Sequence, residues 1–388
     1  MSILLPVAAW IGHVVLWVAI VSRTHAYAWP RLIVDALTVL CGLAMVLLSV
    51  PLVRFSWPGP FPTSLAWIDG GSDLLATSYA TACVGVAVAA VVHGVWRSCH
   101  SERRGALLAR SASRLSIRDH KPRELLAAGM PRLLGTLPGN QTLAPIIVQK
   151  ELAIPNLPPG FEGLRIVHLS DLHMSGRIGR AFYDAIVDAT NELEADVIAL
   201  TGDIVEKDSC LDWIDQSLSR LSARQAKLFV LGNHDLKSTP GEIRARMVDH
   251  GFEDVGGRWR QFDWPGGNCL ACGNEMPWFP PTPDLSNSPL ERAESDLFRL
   301  ALIHTPDLFC WAQQNRFQLV LAGHNHGGQI RLPGLGAIVA PSKFGTRYAS
   351  GVFATGQTVM HVSQGTSSLA PVRWNCPPEL ALLTLRAQ

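Results

Sequence analysis

Short polar segments that follow apolar runs are the feature that most constrains how this chain can fold. The five segments follow apolar runs that are typical of buried strands. In chain order they are Asp171-Leu172-His173, Gly202-Asp203, Gly232-Asn233-His234-Asp235, His304 and Gly323-His324-Asn325-His326. Open α/β sheets place their functional groups at strand ends. The pattern therefore predicts that the carboxylates, imidazoles and carboxamide of these segments meet at one edge of the fold.

The alternation of apolar runs with amphipathic segments predicts the fold class. Buried strands are predicted at residues 164–169, 197–200, 227–231, 300–303 and 318–322. A helix is predicted at residues 181–194, where apolar residues recur at roughly helical spacing. After Gly328 the sequence returns to strands and turns. We therefore expect an α/β fold in which two sheets pack as a sandwich flanked by helices.

Three uncharged apolar runs lie in the first hundred residues, at positions 3–21, 36–53 and 74–96. Each approaches the ~20 residues that a helix needs to cross a bilayer. They predict three transmembrane helices, the alternative being helices buried in a soluble protein. Ala26-Tyr27-Ala28 resembles a signal-peptide cleavage site, but no Lys or Arg precedes the first run, which disfavours cleavage.

Basic residues predict the orientation of the chain, because cytoplasmic loops are enriched in Lys and Arg. The third run is followed by Arg97, Arg103, Arg104, Arg110, Arg114, Arg118, Lys121 and Arg123. We therefore expect a multi-pass protein of the inner (cytoplasmic) membrane whose C-terminal region lies in the cytoplasm. The basic segment is either a helix on anionic lipid headgroups or a solvated connector.

Composition divides the chain into three regions. We expect a membrane region at residues 1–100, a basic juxtamembrane linker at 101–145 and a catalytic domain at 146–388. The formal net charge is +1, so a basic field for nucleic acid is not expected. Cys269 and Cys272 form a lone C-x-x-C, and in a strand they would point to opposite faces, which opposes a shared zinc ion.

The polar segments have the composition of a metal site. Asp171 and His173 flank one residue, and in an extended chain both side chains would reach the same ion. His324 and His326 repeat this spacing, and the Asp203 carboxylate is able to bridge two cations. Mixed oxygen and nitrogen donors without thiolate suit Mn, Fe or Zn. A pair of such ions, ~3.5–4 Å apart, activates a water molecule for attack on a phosphoryl group.

These segments resemble the calcineurin-like metallophosphoesterases. The resemblance covers residues 145–388 and includes Gly327-Gly328-Gln329-Ile330-Arg331-Leu332-Pro333 and Ser363-Gln364-Gly365-Thr366. It is strongest to the membrane-anchored bacterial branch, which includes phosphodiesterases and UDP-2,3-diacylglucosamine diphosphatases. The resemblance implies two divalent metal ions. One would be bound by Asp171, His173, Asp203 and His326, and the other by Asp203, Asn233, His304 and His324.

By the same resemblance, His234 would act on the leaving group as a general acid. The family often has an Asp three residues after the bridging Asp, and this chain has Glu206 there. Glu206 and Asp235 are therefore the candidates for orienting His234, although Asp235 could instead brace the loop.

The implied reaction is hydrolysis of a phosphodiester or pyrophosphate by a metal-bridging hydroxide. Membrane anchoring favours a lipid-linked substrate such as UDP-2,3-diacylglucosamine. The alternatives are phospholipid, cell-wall or nucleotide phosphodiesters, or a non-catalytic metal-binding membrane scaffold. Trp278 and Phe279, in a Pro-rich loop, would line an acyl groove, stack on a nucleobase or cover the domain's own core. Lys343, Arg347 and Arg373 would bind a substrate phosphate or lie on ordinary solvated surface.

Overall fold

The computed structural model describes residues 3–57, 73–99, 105–117, 124–289, 296–334, 336–368 and 370–388. The chain divides into two compact units. One comprises Met1–Ser101 and Pro341–Arg347, and the other comprises Glu102–Ala340 and Tyr348–Gln388. We call them the helical unit and the catalytic unit.

The helical unit contains three long helices, α1 (Leu4–Thr24), α2 (Arg31–Ser56) and α3 (Asp73–Cys99). Small side chains such as Ala9 and Ala80 pack at their contacts. Many large apolar side chains, for example Leu47 and Val92, are more than half exposed. Each helix contains a stretch long and apolar enough to cross a membrane. These helices indicate that the protein associates with a membrane.

The first sheet of the catalytic unit has seven strands in the order β1-β2-β15-β3-β4-β5-β6. They are β1 (Leu107–Arg114), β2 (Ile146–Ile154), β15 (Glu379–Ala387), β3 (Arg165–Leu169), β4 (Val197–Thr201), β5 (Ala226–Val230) and β6 (Phe252–Asp254). Strands β3 to β6 run parallel to one another. The C-terminal strand β15 is parallel to β2 and antiparallel to β3, so it joins the two parts of the sheet.

The second sheet has six strands in the order β13-β14-β10-β9-β8-β7. They are β13 (Gly351–Thr355), β14 (Thr358–Val362), β10 (Leu319–Ala322), β9 (Phe298–Ile303), β8 (Gly267–Asn274) and β7 (Trp259–Trp264). The four inner strands are parallel, and β7 and β13 are antiparallel edges. A short ribbon of β11 (Arg331–Leu332) and β12 (Gly336–Ala337) lies outside both sheets.

Helices cover the outer faces of the two sheets. They are α5 (Arg180–Glu192), α6 (Asp212–Gln216), α7 (Pro240–Asp249) and α8 (Phe309–Gln314), whereas the short helix α4 (Met130–Gly135) buries none of its residues. Phe182 and Ile186 of α5 pack on the first sheet, and Phe309 of α8 packs on the second. A third apolar cluster fills the space between the sheets. The predicted two-sheet α/β sandwich is therefore confirmed.

The two cysteines of the C-x-x-C lie on opposite faces of β8. Cys269 belongs to the cluster between the sheets, and Cys272 belongs to the cluster outside the second sheet. Both thiols are free and buried. This placement agrees with the alternation expected of a strand.

Part of the basic segment forms a strand, which neither interpretation of the sequence anticipated. Strand β1 pairs antiparallel with β2, and Arg110 lies directly opposite Lys150. Its residues are mostly exposed, so it lacks the apolar pattern that marks a buried strand. An edge strand of this kind is held by its backbone pairing. Arg103, Arg104, Arg118, Lys121 and Arg123 lie outside the described residues.

A chain of buried polar side chains crosses the apolar layer between the sheets. The ammonium of Lys150 donates to Nε2 of His361 at 2.7 Å, because an ammonium has only donors. Burial and the charge of Lys150 hold the pKa of His361 well below its usual range. Neutral His361 therefore donates from Nδ1 to Nδ1 of His168 (2.8 Å). Nε2 of His168 then donates to Oγ1 of Thr201 (2.8 Å).

Candidate metal centre

The five polar segments come together where parallel strands of both sheets end. The loops after β3, β4 and β5 carry Asp171, His173, Asp203, Asn233 and His234, and those after β9 and β10 carry His304, His324 and His326. Most of these side chains are buried, whereas Asn233 and His234 are partly exposed. This arrangement agrees with the expectation that the ends of the strands bring these groups together.

The backbone at these positions is left-handed rather than extended. Positive φ angles are found at Asp171 (56°), His173 (47°), Asp203 (57°), His324 (70°) and His326 (49°). Such angles are uncommon for residues other than glycine. The sequence-based reason for pairing Asp171 with His173, alternation along an extended chain, was therefore wrong. Strained backbone of this kind clusters at functional sites and persists where surrounding contacts hold it.

The surrounding contacts are backbone hydrogen bonds between neighbouring loops. The amide of Asp171 donates to the carbonyl of Gly202 (3.0 Å), and the amide of His173 donates to that of Asp203 (2.8 Å). Gly202 has a φ of +86°, and a Cβ there would lie 2.6 Å from Nδ1 of His304. Glycine is therefore required at this position for the loops to approach so closely.

Asp235 holds the loop that carries Asp203. Its carboxylate accepts four backbone N–H bonds, from Gly232 (2.7 Å), Asp203 (2.9 Å), Ile204 (2.8 Å) and Val205 (2.9 Å). Both oxygens are thus occupied by the backbone. The structure supports the bracing role for Asp235, and the role of orienting His234 falls to other residues.

One set of side chains converges around Oδ2 of Asp203 and Nε2 of His173, which are 3.5 Å apart. Nε2 of His326 lies 2.9 Å from Nε2 of His173 and 3.4 Å from Oδ1 of Asp171. One ligand atom from each of these four residues lies within 4.8 Å of the others, close enough to bind one cation.

A second set shares Oδ2 of Asp203. Nε2 of His304 lies 3.4 Å from this oxygen and 3.2 Å from Nδ1 of His324. The side-chain oxygen of Asn233 is 3.1 Å from the same His304 nitrogen. The two sets therefore meet at one carboxylate oxygen.

The donor chemistry of the second set fits a cation. Nδ1 of His304 faces the carbonyl of Thr201 at 2.7 Å, so it carries a proton and Nε2 is directed at the oxygens of Asp203 and Asn233. Without a metal, a proton must separate these acceptors. Burial opposes that proton, but the charge of Asp203 raises the pKa of His304 to about 9. A divalent ion would take the place of this proton.

His234 lies beside both sets, with its ring 4.7 Å from that of His173. Its Nδ1 is 2.6 Å from Nζ of Lys237 and 3.4 Å from Oε1 of Glu206. Lys237 also donates to Glu206 (2.6 Å), as does Arg177 (3.1 Å). Burial would raise the pKa of Glu206, but the neighbouring His234 and Lys237 lower it to about 2. Glu206 is thus ionised and acts on His234 largely through Lys237.

Lys237 is a residue that the sequence analysis missed. It lies three residues after His234, in a single helical turn at Asp235–Lys237. Residues three apart in such a turn share a face. That spacing was the available signal, but nothing in the sequence alone showed that the segment forms a turn.

The two aromatic residues of the Pro-rich loop have different surroundings. The Trp278 ring packs against His304 and His324, with centroid distances of 5.6 Å and 4.9 Å. Phe279 packs against the core of the first sheet and lies 5.6 Å from the guanidinium of Arg244. Trp278 is therefore placed to form a wall of the site, and Phe279 is a core residue.

The candidate phosphate-binding cations also differ from expectation. Lys343 and Arg347 fall in Pro341–Arg347, which clusters with the helical unit, and Lys343 Nζ lies 5.2 Å from the ring centroid of Tyr27. Arg373 was expected either to bind a substrate phosphate or to lie on solvated surface, but it is fully buried. It donates to the carbonyls of Gln364 (2.9 Å) and Cys376 (3.1 Å), which fixes the loop at residues 363–368.

Residues 164–328 match the calcineurin-like phosphoesterase family. The match spans the loops from Asp171 to His326, which are those that converge in the structure. The chain therefore carries a calcineurin-like metallophosphoesterase domain and is a metal-dependent phosphoester hydrolase. The family implies divalent metal ions, and the converging Asp and His side chains fit them.

Curated relatives share this domain. The chain is 29% identical over 236 residues to the uncharacterized metallophosphoesterase YkuE of Bacillus subtilis, covering 60% of this chain and 82% of that protein. It is 29% identical over 235 residues to phosphodiesterase YaeI of Escherichia coli, covering 57% and 82%. A transmembrane protein with metallophosphoesterase domain from Bos taurus is 28% identical over 269 residues, covering 64% and 59%.

We expect Asp203→Ala to lose more bound metal than Asp171→Ala or His324→Ala. The reason is that Asp203 belongs to both sets, whereas each of the other residues belongs to one. Metal bound to the purified, detergent-solubilised chain would be measured by plasma mass spectrometry, with Asp284→Ala on an exposed loop as the control. Equal metal content in all four variants would contradict the shared-carboxylate arrangement.

Proposed function

We propose that this chain is a membrane-anchored phosphodiesterase or pyrophosphatase with a dinuclear metal centre. The observation that carries the proposal is the position of Asp203 Oδ2, which is 3.5 Å from a nitrogen of one set and 3.4 Å from a nitrogen of the other. Asp171, His173, Asp203 and His326 would bind one ion, and Asp203, Asn233, His304 and His324 the other. Mn, Fe and Zn all suit these donors.

When bound, the two ions would activate a water molecule and neutralise charge on the phosphoryl oxygens. The protein's own contribution is to protonate the leaving oxygen. Lys237 has only donors, so Nδ1 of His234 accepts from it and the ring proton lies on Nε2. As Nε2 of His234 gives its proton to the leaving oxygen, Nδ1 would take the proton that Lys237 donates, and Glu206 holds Lys237 in place.

We expect His234→Ala to lower kcat by ~10²–10⁴-fold, as loss of a general acid does. Lys237→Met should also lower kcat, by a smaller factor, with little change in KM, because it changes the proton position on His234 without removing the ring. Steady-state kinetics of the purified protein with added Mn²⁺ and a chromogenic phosphodiester would test this.

The control for Lys237→Met is Lys207→Met, one residue from Glu206 but exposed. Lys237→Arg should recover part of the activity, since it keeps a donor. If Lys237→Met and Lys207→Met had the same kcat, the role of Lys237 would be refuted. Unchanged turnover in both His234→Ala and Asp203→Ala would refute the catalytic assignment itself, in favour of a metal-binding scaffold.

The substrate that we propose is lipid-linked, with UDP-2,3-diacylglucosamine as the first candidate. Two observations support this. In the described part of the chain, three helices are long and apolar enough to cross a membrane. The apolar face of Trp278 lies against two of the proposed metal ligands, where it would contact an acyl chain or a base. A nucleotide or phospholipid diester is the alternative that the same wall would accept.

Trp278→Ser should raise KM for an acylated substrate far more than for a small chromogenic phosphodiester. The reason is that only the acylated substrate extends from the metal ions onto the indole. Trp278→Phe keeps an apolar wall and is the matched control. The assay would use UDP-2,3-diacylglucosamine together with phospholipid and nucleotide diesters, and mass spectrometry would identify the bond broken. A similar rise in KM for every substrate would exclude an acyl groove at Trp278.

We also propose that the catalytic unit faces the cytoplasm, with the helical unit in the inner membrane as a multi-pass anchor. The basic residues that follow α3 support this orientation. Cys310, on α8, has an exposed side chain and provides a native reporter.

A membrane-impermeant thiol reagent should label Cys310 in opened membranes but not in sealed spheroplasts. The difference follows because a cytoplasmic thiol is reached only when the membrane is broken. Labelling would be read as a mass shift of the full chain, with Cys310→Ser as the control. Labelling of Cys310 in sealed spheroplasts would place the catalytic unit on the outer side.

A further inference from the structure

A second polar cavity lies at the open edge of the sandwich. It has a volume of about 230 Å³, is open to solvent on one side and is lined by strands β1, β2 and β15 of the first sheet, β13 of the second sheet and the start of the β11–β12 ribbon. Its polar lining residues are Arg110, Lys150, Arg331, Ser350, Gln364 and Glu379. Pockets for drug-sized ligands have volumes of ~300–1,000 Å³. The cavity therefore suits a small ion or a single polar headgroup.

The ammonium of Lys150 is fixed at the inner wall of this cavity. It donates to Oε1 of Glu379 (2.5 Å) and to Nε2 of His361 (2.7 Å). An ammonium has three N–H donors, so one remains for a ligand in the cavity. The second oxygen of Glu379 accepts the amide of Gln364 at 3.1 Å. Among the described residues that line the cavity, Glu379 is the one carboxylate, and Lys150 neutralises it.

Two guanidinium groups also line the cavity, and neither forms an ion pair with a carboxylate of the described residues. Arg331 contacts neutral groups, Ser350 Oγ at 3.3 Å and Gln364 Oε1 at 3.4 Å. The side chain of Arg110 makes no hydrogen bond or ion pair with any described residue. Strand register places Arg110 directly opposite Lys150, on the same face of the sheet. The balance of charge in the cavity is thus two positive charges in excess.

We propose that this cavity binds a phosphate group through Arg110, Arg331 and Lys150. Guanidinium forks match the geometry of phosphate oxygens, and a dianionic oxyanion would offset the excess charge. The side-chain amide nitrogen of Gln364 would donate a further hydrogen bond to the phosphate. The phosphate is either free inorganic phosphate or part of a lipid headgroup, and the same three residues would recognise both.

This site is separate from the metal centre. None of the residues that we assign to the metal ions or to His234 lines the cavity. The two sites share only the loop at residues 363–366, where Gln364 faces the cavity and a Cβ on Gly365 would lie 2.9 Å from Nδ1 of His326. Binding at the edge can therefore be measured with the metal centre empty.

The test is isothermal titration calorimetry of the full chain in detergent, treated with EDTA so that the metal centre does not bind phosphate. Inorganic phosphate should bind with one saturable site. Arg110→Gln and Arg331→Gln should each weaken it by about tenfold or more, because each removes a charge-assisted hydrogen bond. Arg114→Gln, on the same strand but outside the cavity lining, is the matched control and should bind as the native chain does.

A second titration uses dihexanoyl phosphatidic acid below its critical micelle concentration. Tighter binding of this lipid than of phosphate, weakened by the same two variants, would assign the site to a headgroup. Binding of phosphate alone would assign it to the free anion. Absence of saturable binding of either probe, or equal weakening by Arg114→Gln, would overturn the proposal.

Discussion

The carboxylate of Asp235 is the contact on which the geometry of the metal centre depends. It accepts four backbone N–H bonds from the ends of β4 and β5, all between 2.7 and 2.9 Å. Hydrogen bonds to a charged group contribute roughly 1.5–3 kcal/mol each. Together they can hold Asp203 in its left-handed conformation, which costs on the order of 1–3 kcal/mol. Asp203 is the one residue common to both sets of side chains. The other proposed ligands can therefore share a cation with it only while this loop is fixed.

Bringing the two sheets together is the second requirement. The first sheet supplies Asp171, His173, Asp203 and Asn233, whereas the second supplies His304, His324 and His326. Either sheet alone offers only part of each set. The apolar cluster between the sheets therefore sets the distance between the proposed ligands, and the buried chain from Lys150 to Thr201 fixes the lateral register of the layers. The carbonyl of Thr201 in turn orients His304, so this chain ends at a proposed ligand.

The sequence was a good guide wherever a single pattern determined the outcome. Apolar runs followed by Asp or His predicted the strands, the sandwich and the meeting of the polar segments. The sequence was a poor guide to local backbone conformation and to the tertiary contacts of individual side chains. Left-handed φ angles at Asp171 and His173 are imposed by contacts with the neighbouring loop and leave no signature in residue type. Lys and Arg are residue types that usually lie on the surface. Only the tertiary structure shows that Lys237 lies beside His234 and that Arg373 is fully buried. Strand β1 is polar because it lies at a sheet edge, so periodicity did not reveal it.

The charges around the proposed ions indicate what kind of substrate they would accept. Two divalent ions carry four positive charges, and the ligand carboxylates of Asp171 and Asp203 return two negative charges. Glu206 and its partners Lys237 and Arg177 together add one positive charge. The buried Asp235 carboxylate, which accepts backbone N–H bonds, adds one negative charge and offsets it. The buried site is then about two charges positive, and in a place of low dielectric such an excess strongly favours an anion. A pyrophosphate linkage carries two negative charges and a phosphodiester one, with the attacking hydroxide supplying another. Both fit this balance, which is why Trp278 and its surroundings, rather than the metal ligands, must distinguish between them.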